Sequence, residues 1–317
     1  MTIAVLMGGP SGEHEISLKS GRGVTEALRR RGLQVEPVII PNGSVPEASG
    51  FVSASLCRIR PEAAFFALHG AFGEDGTVQQ LCESLRVPFT GSSAAASRVG
   101  IDKAASRRCF EAAGLRVPRW RLVDMRTVET PASLALPAPY PLVVKPLREG
   151  SSLGVSLVPS PKELVQALEA AAKFGAEVLI EECIIGREVT VGVLGEEALP
   201  VVEIKPHHAF FDFSAKYTAG MTDYIVPAPL EASIAEQVKA AGLAAHQAIG
   251  CRHVSRADII LQEDGTPVIL EINTIPGFTP TSLLPKAAAC LGLSYDDICE
   301  QLVMLALSSA QSPLEAQ

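Results

Sequence analysis

Residues 256–273 read Arg-Ala-Asp-Ile-Ile-Leu-Gln-Glu-Asp-Gly-Thr-Pro-Val-Ile-Leu-Glu-Ile-Asn, two β-type apolar runs around an Asp-Gly dipeptide. That pattern leaves the segment little choice but a β-hairpin. Taking Asp264 and Gly265 as the two central turn residues sets Asp258 directly across from Glu271, and Arg256 across from Asn273. Side chains alternate with period two, so these four share one face. Ile259, Leu261, Val268, Leu270 and Ile272 then line the other face, with Ile260 and Ile269 beside the carboxylates, and the hairpin is expected to be largely buried. Directly opposed carboxylates in such a setting repel unless a cation lies between them. Three readings meet that requirement: Arg256 alone neutralises the pair, a shifted register leaves the charges in solvent, or a divalent ion binds. A donor set of Asp258, Glu271 and Asn273 offers only oxygen, which suits Mg²⁺ better than zinc or copper.

The rest of the chain narrows the class of partner. Its formal net charge is -8 over 317 residues, which argues against a nucleic-acid binder, so any phosphate site must be locally basic. Hydrophobic residues at 47% and charged residues at 20% place it among globular proteins with room for two or three lobes. Seven cysteines, scattered and without a C-x-x-C pair, suggest neither a disulfide framework nor a zinc site. The opening MTIAVLMGG has no basic n-region, so it reads as a strand rather than a signal peptide. No apolar run has the length of a membrane helix, and the expected setting is cytoplasmic.

Along the chain, Ile3–Met7, a helical stretch from about Ile16 to Arg30 and Val35–Ile40 predict a β-α-β opening. A Pro/Ser/Gly-rich connection (Pro41–Gly50), a strand Ala63–Leu68, a helix Thr77–Leu85, a short strand Val87–Phe89 and an Ala-rich helix over 94–113 follow. After Val117 come Pro-punctuated strands, a helix from Pro161 to Phe174 and the strand Val178–Glu181, and the tail after Leu307 is expected to fray. The division this suggests is three lobes, residues 1–98, 99–186 and 187–317.

Neither a P-loop nor a dinucleotide fingerprint is present. In their place, Val143-Val144-Lys145-Pro-Leu-Arg-Glu-Gly-Ser151-Ser-Leu-Gly154 puts a lysine at a strand end before a Gly/Ser loop whose amides suit phosphate oxygens, although such a loop also serves as a plain turn. Gly8-Gly-Pro-Ser-Gly-Glu13-His-Glu15 occupies a strand-to-helix turn, where Glu13 suits an ammonium or simply favours the helix start. His69, opening His-Gly-Ala-Phe-Gly-Glu-Asp-Gly, comes to the same sheet edge, in a ligand-binding or a structural role. FFDFSAKY, residues 210–217, combines aromatic rings with Lys216 and Tyr217 and reads as a lid or an ordinary surface loop.

Taken in order, GGPSGEHEISL, LHGAFGEDG, DKAASR, VVKPLREGSSLGV, EECIIGREVTV, FSAKYT, RADIIL and EINTIPGFTPTSLLP resemble the motif series of the D-alanine:D-alanine ligases of the ATP-grasp superfamily, from about residue 3 to residue 285. The resemblance implies an α/β, three-lobed ATP-grasp architecture. An N-terminal, mostly parallel sheet lobe accompanies two α+β lobes that clamp ATP. It implies that Lys103 and Lys145 hold ATP phosphates, with Ser151 in the covering loop, that the Glu181 segment meets the adenine edge, and that Glu188 meets the ribose hydroxyls. Lys216 covers the γ-phosphate from the lid. Asp258, Glu271 and Asn273 hold Mg²⁺, with Mn²⁺ as a substitute.

By the same resemblance, Glu13 binds the ammonium of the first D-alanine and His69 lies near its carboxylate, while Ser151 and Tyr217 brace Glu13. Ser282 and Leu283 receive the carboxylate of the second D-alanine, and Arg256 with the Gly277 amide stabilises charge at the reacting carbonyl. The implied reaction makes an acyl phosphate from the first D-alanine and displaces its phosphate with the second amine, giving a peptidoglycan precursor. D-lactate or D-serine as second substrate is the alternative, though Tyr217 resembles the peptide-forming members. A homodimer is implied as well. Phe211, Phe213, Glu182 and Leu147 depart from the commonest family pattern.

Overall fold

A computed structural model describes residues 1–128, 134–150, 152–206 and 222–311. Three sheets organise it. The first has β1 (Thr2–Gly8) between β2 (Gln34–Ile40) and β3 (Ala63–Phe66), all parallel. Ile3 to Leu6 are fully buried, because a central parallel strand is covered on both faces. Helix α1 (His14–Arg30) makes the expected crossover.

Helix α2 (Val45–Ile59) was not expected: Pro41–Gly50 read as a connection. The signal was present, since Ser44 Oγ accepts from the Glu47 amide while the Glu47 carboxylate accepts from the Ser44 amide at 2.8 Å, a reciprocal cap with Pro46 in the first turn. Beyond α3 (Thr77–Leu85), the expected strand Val87–Phe89 is a single parallel bridge between Ala64 and Phe89. The expected helix over 94–113 is two helices, α4 (Ala94–Ile101) and α5 (Lys103–Ala112). The chain breaks at Asp102 (ψ 102°), whose carboxylate caps the Ala105 amide at 2.9 Å and so starts a new helix.

The second sheet is antiparallel, in the order β4 (Trp120–Asp124), β7 (Glu177–Glu182), β5 (Leu142–Pro146), β6 (Ser156–Val158). Helix α6 (Pro161–Ala172) sets Leu164, Ala167, Leu168 and Ala171 against Leu142, Val144, Val178 and Ile180. Alternation therefore turns Lys145 and Glu181 to the opposite face.

The third sheet runs β11 (Thr222–Ile225), β10 (Val202–Pro206), β8 (Arg187–Leu194), β12 (Val254–Leu261), β13 (Pro267–Asn273), with β9 (Glu197–Ala198) paired to β8. Helix α7 (Ala232–Ile249) covers the face carrying Val189, Val191, Ala257, Ile259 and Ile269. Helix α8 (Leu283–Ala289) precedes α9 (Tyr295–Gln311), whose Ile298, Leu302 and Val303 join the core of the first sheet with Ile3, Val5 and Leu28. The helix continues past Leu307, where fraying was expected, to Gln311, with Ser309 Oγ 2.8 Å from His253 Nε2; residues 312–317 lie outside the described residues.

The β12–β13 turn also departs from expectation. The Gln262 amide donates to the Thr266 carbonyl and the Gly265 amide to Gln262, each at 3.0 Å, so the connection is Glu263-Asp264-Gly265 with Gly265 at φ +83°. This longer turn slips the pairing by one, and Ile259 faces Ile269. A bulge beyond Asp258 slips it back, with Leu270 as the extra residue, and restores Asp258 opposite Glu271 and Arg256 opposite Asn273. The two offsets cancel at the carboxylates but not between them: Ile269 lies in the core with Ile259 rather than beside the acids, and Leu270 is only half-buried.

Candidate active site

One face of the third sheet gathers the acidic residues. Thr190 pairs with Asp258 and Glu188 with Ile260, so Glu188 and Thr190 share the face of Asp258, Glu271, Arg256 and Asn273. Arg256 holds Asp258 with Nε at 2.8 Å and Nη2 at 2.9 Å. Burial alone would lower the Arg256 pKa, but Asp258, with Glu271 and Glu74 farther off, outweighs it and raises it. Thr190 Oγ1 lies 2.8 Å from Asp258 Oδ1, and Asn273 Nδ2 donates to Asp258 Oδ2 at 3.1 Å.

Arg256 thus pairs directly with Asp258 and not with both acids, as the first of the readings above had it, and a second cation approaches Glu271. Lys103 Nζ lies 3.9 Å from Glu271 Oε2, and the Glu271 side chain remains 28% exposed. Among the described residues no group of three His, Cys, Asp or Glu side chains converges as a metal site, so a cation here depends on Asn273 as third donor. The donor chemistry fits. Two carboxylates and an amide, which presents oxygen in place of nitrogen on a half-turn, supply the hard ligands that Mg²⁺ selects.

Across the cleft, α5 begins at Lys103, which is 6% exposed and donates from Nζ to the Glu149 carbonyl of the Gly/Ser loop at 2.6 Å. On the central sheet Lys145 Nζ lies 2.6 Å from Glu181 Oε2. Burial drives the Lys145 pKa down, with Glu181 opposing the shift. Burial would raise that of Glu181, but the charges of Arg107 and Lys145 prevail and hold it low. The Glu181 side chain is therefore committed to a buried ion cluster near the end of β7. Glu182, which departs from the family pattern, is held by Arg119 at 2.9 and 3.0 Å. Leu147, another departure, is buried with Leu179.

At the first sheet's edge Glu13 stands at the start of α1, its amide on Ser11 Oγ at 3.2 Å. Ser11 Oγ donates to the His69 carbonyl at 2.7 Å. Gly70, at φ +67°, allows the close approach: a Cβ there would lie 3.0 Å from Glu13 Oε2. The buried His69 ring has Nε2 3.2 Å from Ser20 Oγ and Nδ1 3.8 Å from Glu74 Oε1. Gly277 and Ser282 are neighbours, since a Cβ at Gly277 would lie 3.4 Å from Ser282 Oγ. Ser282 in turn immediately precedes Leu283, the first residue of α8.

Two residues of this region were missed. Glu74 accepts from the Gly70 amide at 3.1 Å and is partly buried, close enough to Glu13 and Arg256 to feel both charges; its pKa is raised, by desolvation first and by Glu13 further, against His69. Arg107 is fully buried against Glu181. Both lie inside motifs already noted, Glu74 in LHGAFGEDG and Arg107 in DKAASR, one helical turn after Lys103. Ser151, Lys216 and Tyr217, with Phe211 and Phe213, lie outside the described residues.

Comparison with known proteins points to one family. A family model described as the D-ala D-ala ligase C-terminus matches residues 109–304, and its N-terminal counterpart matches residues 51–92. A D-alanine–D-alanine ligase of Anaeromyxobacter dehalogenans is 46% identical over 301 residues, 95% of each chain. One from Halalkalibacterium halodurans is 41% identical over 97% of this chain and 99% of its own. The D-alanine–D-alanine ligase of Bacillus anthracis complexed with ATP superposes with a TM-score of 0.82 at 30% identity, over 98% of this chain and 99% of its own. The VanG D-Ala:D-Ser ligase of Enterococcus faecalis gives 0.81 at 30%, over 96% and 99%. With matches of this extent and the observed three-sheet α/β architecture, the chain belongs to the D-alanine–D-alanine ligase family.

Proposed function

We propose that this chain ligates two D-alanines at the expense of ATP, passing through an acyl phosphate, and so supplies a peptidoglycan precursor. The observation that carries this reading is Lys103, which spans from the Gly/Ser loop carbonyl of Glu149 to within 3.9 Å of Glu271 and so puts a cation between a phosphate-covering loop and the acidic hairpin face. Residues 1–98, 99–186 and 187–317 are its proposed lobes, a homodimer in the cytoplasm its proposed state. No described helix is long and apolar enough to cross a membrane.

Lys103 and Lys145 hold the phosphates of ATP, with Ser151 in the loop above them and Lys216 closing from the lid. The Glu181 segment meets the adenine edge and Glu188 the ribose. Asp258, Glu271 and Asn273 hold Mg²⁺, or Mn²⁺ in its place, which when bound neutralises phosphate charge and orients the γ-phosphoryl group. Glu13 takes the ammonium of the first D-alanine, with Ser151 and Tyr217 bracing it and His69 near the carboxylate. A carboxylate oxygen of that D-alanine bonds to the γ-phosphorus as the bond to ADP breaks.

Ser282 and Leu283 fix the carboxylate of the second D-alanine, so its amine is aimed at the activated carbonyl. The C–N bond forms, the amine loses a proton and inorganic phosphate leaves. Negative charge on the carbonyl oxygen is met by the Gly277 amide and by Arg256, whose Nε and Nη2 hold Asp258 and whose Nη1 is the donor proposed for the oxyanion.

The test is phosphate release with panels of D-amino and D-hydroxy acids. Preference for D-alanine at both positions is expected; a clear preference for D-lactate at neutral pH, or no ATP turnover with any pair, would overturn the reading. D-serine at the second position has one observation behind it, the superposition on a D-Ala:D-Ser ligase, and the same panel decides it.

A further inference from the structure

Arg107 is the largest fully buried side chain among the described residues, and its guanidinium reaches two different sheets. On the central sheet Nε donates to Glu181 Oε1 at 2.8 Å and Nη2 donates to the same oxygen. The other carboxylate oxygen, Oε2, is left for Lys145 at 2.6 Å. On the third sheet Nη1 donates to the Leu270 carbonyl and, at 3.3 Å, to that of Ile269. Those carbonyls belong to the bulge that returns Glu271 to its place opposite Asp258. A bulge disrupts the ladder locally, and a buried carbonyl there needs a donor from elsewhere.

We propose that Arg107 is a positioning residue for the nucleotide site, acting through Glu181 on Lys145 and through the bulge carbonyls on Glu271. The inference rests on the functional reading above. Two arguments support it. Arg107 and Lys145 against the single charge of Glu181 leave the cluster net positive, so phosphates meet a cation not fully cancelled by its own partner; without Arg107 the cluster is neutral. The planar guanidinium also spans carboxylate and carbonyls in one fixed fork, which an ammonium does not reproduce. Lys103, one turn earlier on α5, reaches Glu271 itself, so a single helix face sets both lysines and the acid relative to one another.

The test compares Arg107→Gln and Arg107→Lys with the unaltered chain, by calorimetric binding of ATP with Mg²⁺ and by KM for ATP and for D-alanine. Folding is checked by circular dichroism. Arg107→Gln is expected to weaken ATP binding and raise its KM at least tenfold, with the D-alanine KM within about twofold. Arg107→Lys, which keeps the charge but not the fork, is expected to recover only part of the ATP affinity. Folded Arg107→Gln that binds ATP like the unaltered chain, or raises both KM values by one factor as general damage does, would overturn the proposal. If Arg107→Gln does not fold, Arg107→Lys is read by hydrogen exchange instead. Faster exchange at the amides of residues 269–272 with the D-alanine KM retained supports the assignment, and unchanged exchange overturns it. An unaltered chain that binds no ATP would instead overturn the functional reading and this proposal with it.

Discussion

Glu181 and Glu271 are both glutamates facing the cleft between the second and third sheets, yet they are held in opposite ways. Glu181 is 2% exposed, with one oxygen on Arg107 and the other on Lys145. Glu271 keeps a side chain 28% exposed, and its ion pair with Lys103 is long at 3.9 Å. A carboxylate whose oxygens are both taken at short range, away from water, is a fixed support for its cations. One paired at longer range and partly open to water is less firmly fixed in place. The difference separates groups that build the site from groups the site offers.

The largest expected effect breaks the support. Glu181→Gln leaves Arg107 and Lys145 as adjoining buried cations, and we expect a loss of about 3–5 kcal/mol in urea unfolding; an unchanged midpoint would show that Glu181 is not the support described. Next come His246 and His253, closed in the same way: His246 Nδ1 lies 2.8 Å from Ser255 Oγ, and His253 accepts from the Gly91 amide at 3.1 Å. Burial pushes both rings down to about 4, from an ordinary 6.5. As pH falls below 6.5 the unfolded chain gains protons that the folded chain refuses until about 4, so stability is lost across that window, by up to about 3 kcal/mol per ring. Unfolding midpoints at pH 7 and 4.5 test this, with a smaller drop expected for His253→Gln; a flat profile contradicts it.

Glu271→Gln sharpens the comparison from the other side. Turnover is expected to fall at least about tenfold, or roughly 1.4 kcal/mol, while stability moves by no more than about 0.5 kcal/mol. Unchanged turnover at saturating Mg²⁺ would remove Glu271 from its proposed role. The smallest effect is expected at Thr190→Val, which takes a hydroxyl from Asp258 Oδ1 and the Ala257 carbonyl. Losing one hydrogen bond of about 1 kcal/mol corresponds to about fivefold in the Mg²⁺ concentration for half-maximal turnover. No shift there would mean that the remaining donors, Arg256 and Asn273 among them, suffice to orient Asp258.

Much of this was legible because it is local. The opposition of Asp258 and Glu271 follows from alternation in a hairpin, and the parallel first sheet from its β-α-β opening. The legibility was partly fortunate: the turn is one residue longer than Asp-Gly suggested, and a bulge repaired the register at the acids while moving Ile269 into the core. Helix α2 was legible and overlooked, since Ser44 and Glu47 spell its cap. Arg107 carried no local sign of burial, because an isolated base in sequence is normally solvated and only distant partners make its burial tolerable.

The sequence by itself determined which residue types meet on the hairpin face, the strand-end lysine before a Gly/Ser loop, and the family to which their order points. Only the tertiary structure decided how the charges divide: Arg256 takes Asp258, Lys103 approaches Glu271, and Arg107 and Lys145 share Glu181. The reason is distance along the chain. Alternation and turn chemistry act over a few residues, whereas the partner of a buried charge is chosen by sheets and helices that meet only when the whole chain has packed, at a cost in desolvation that depends on every neighbour.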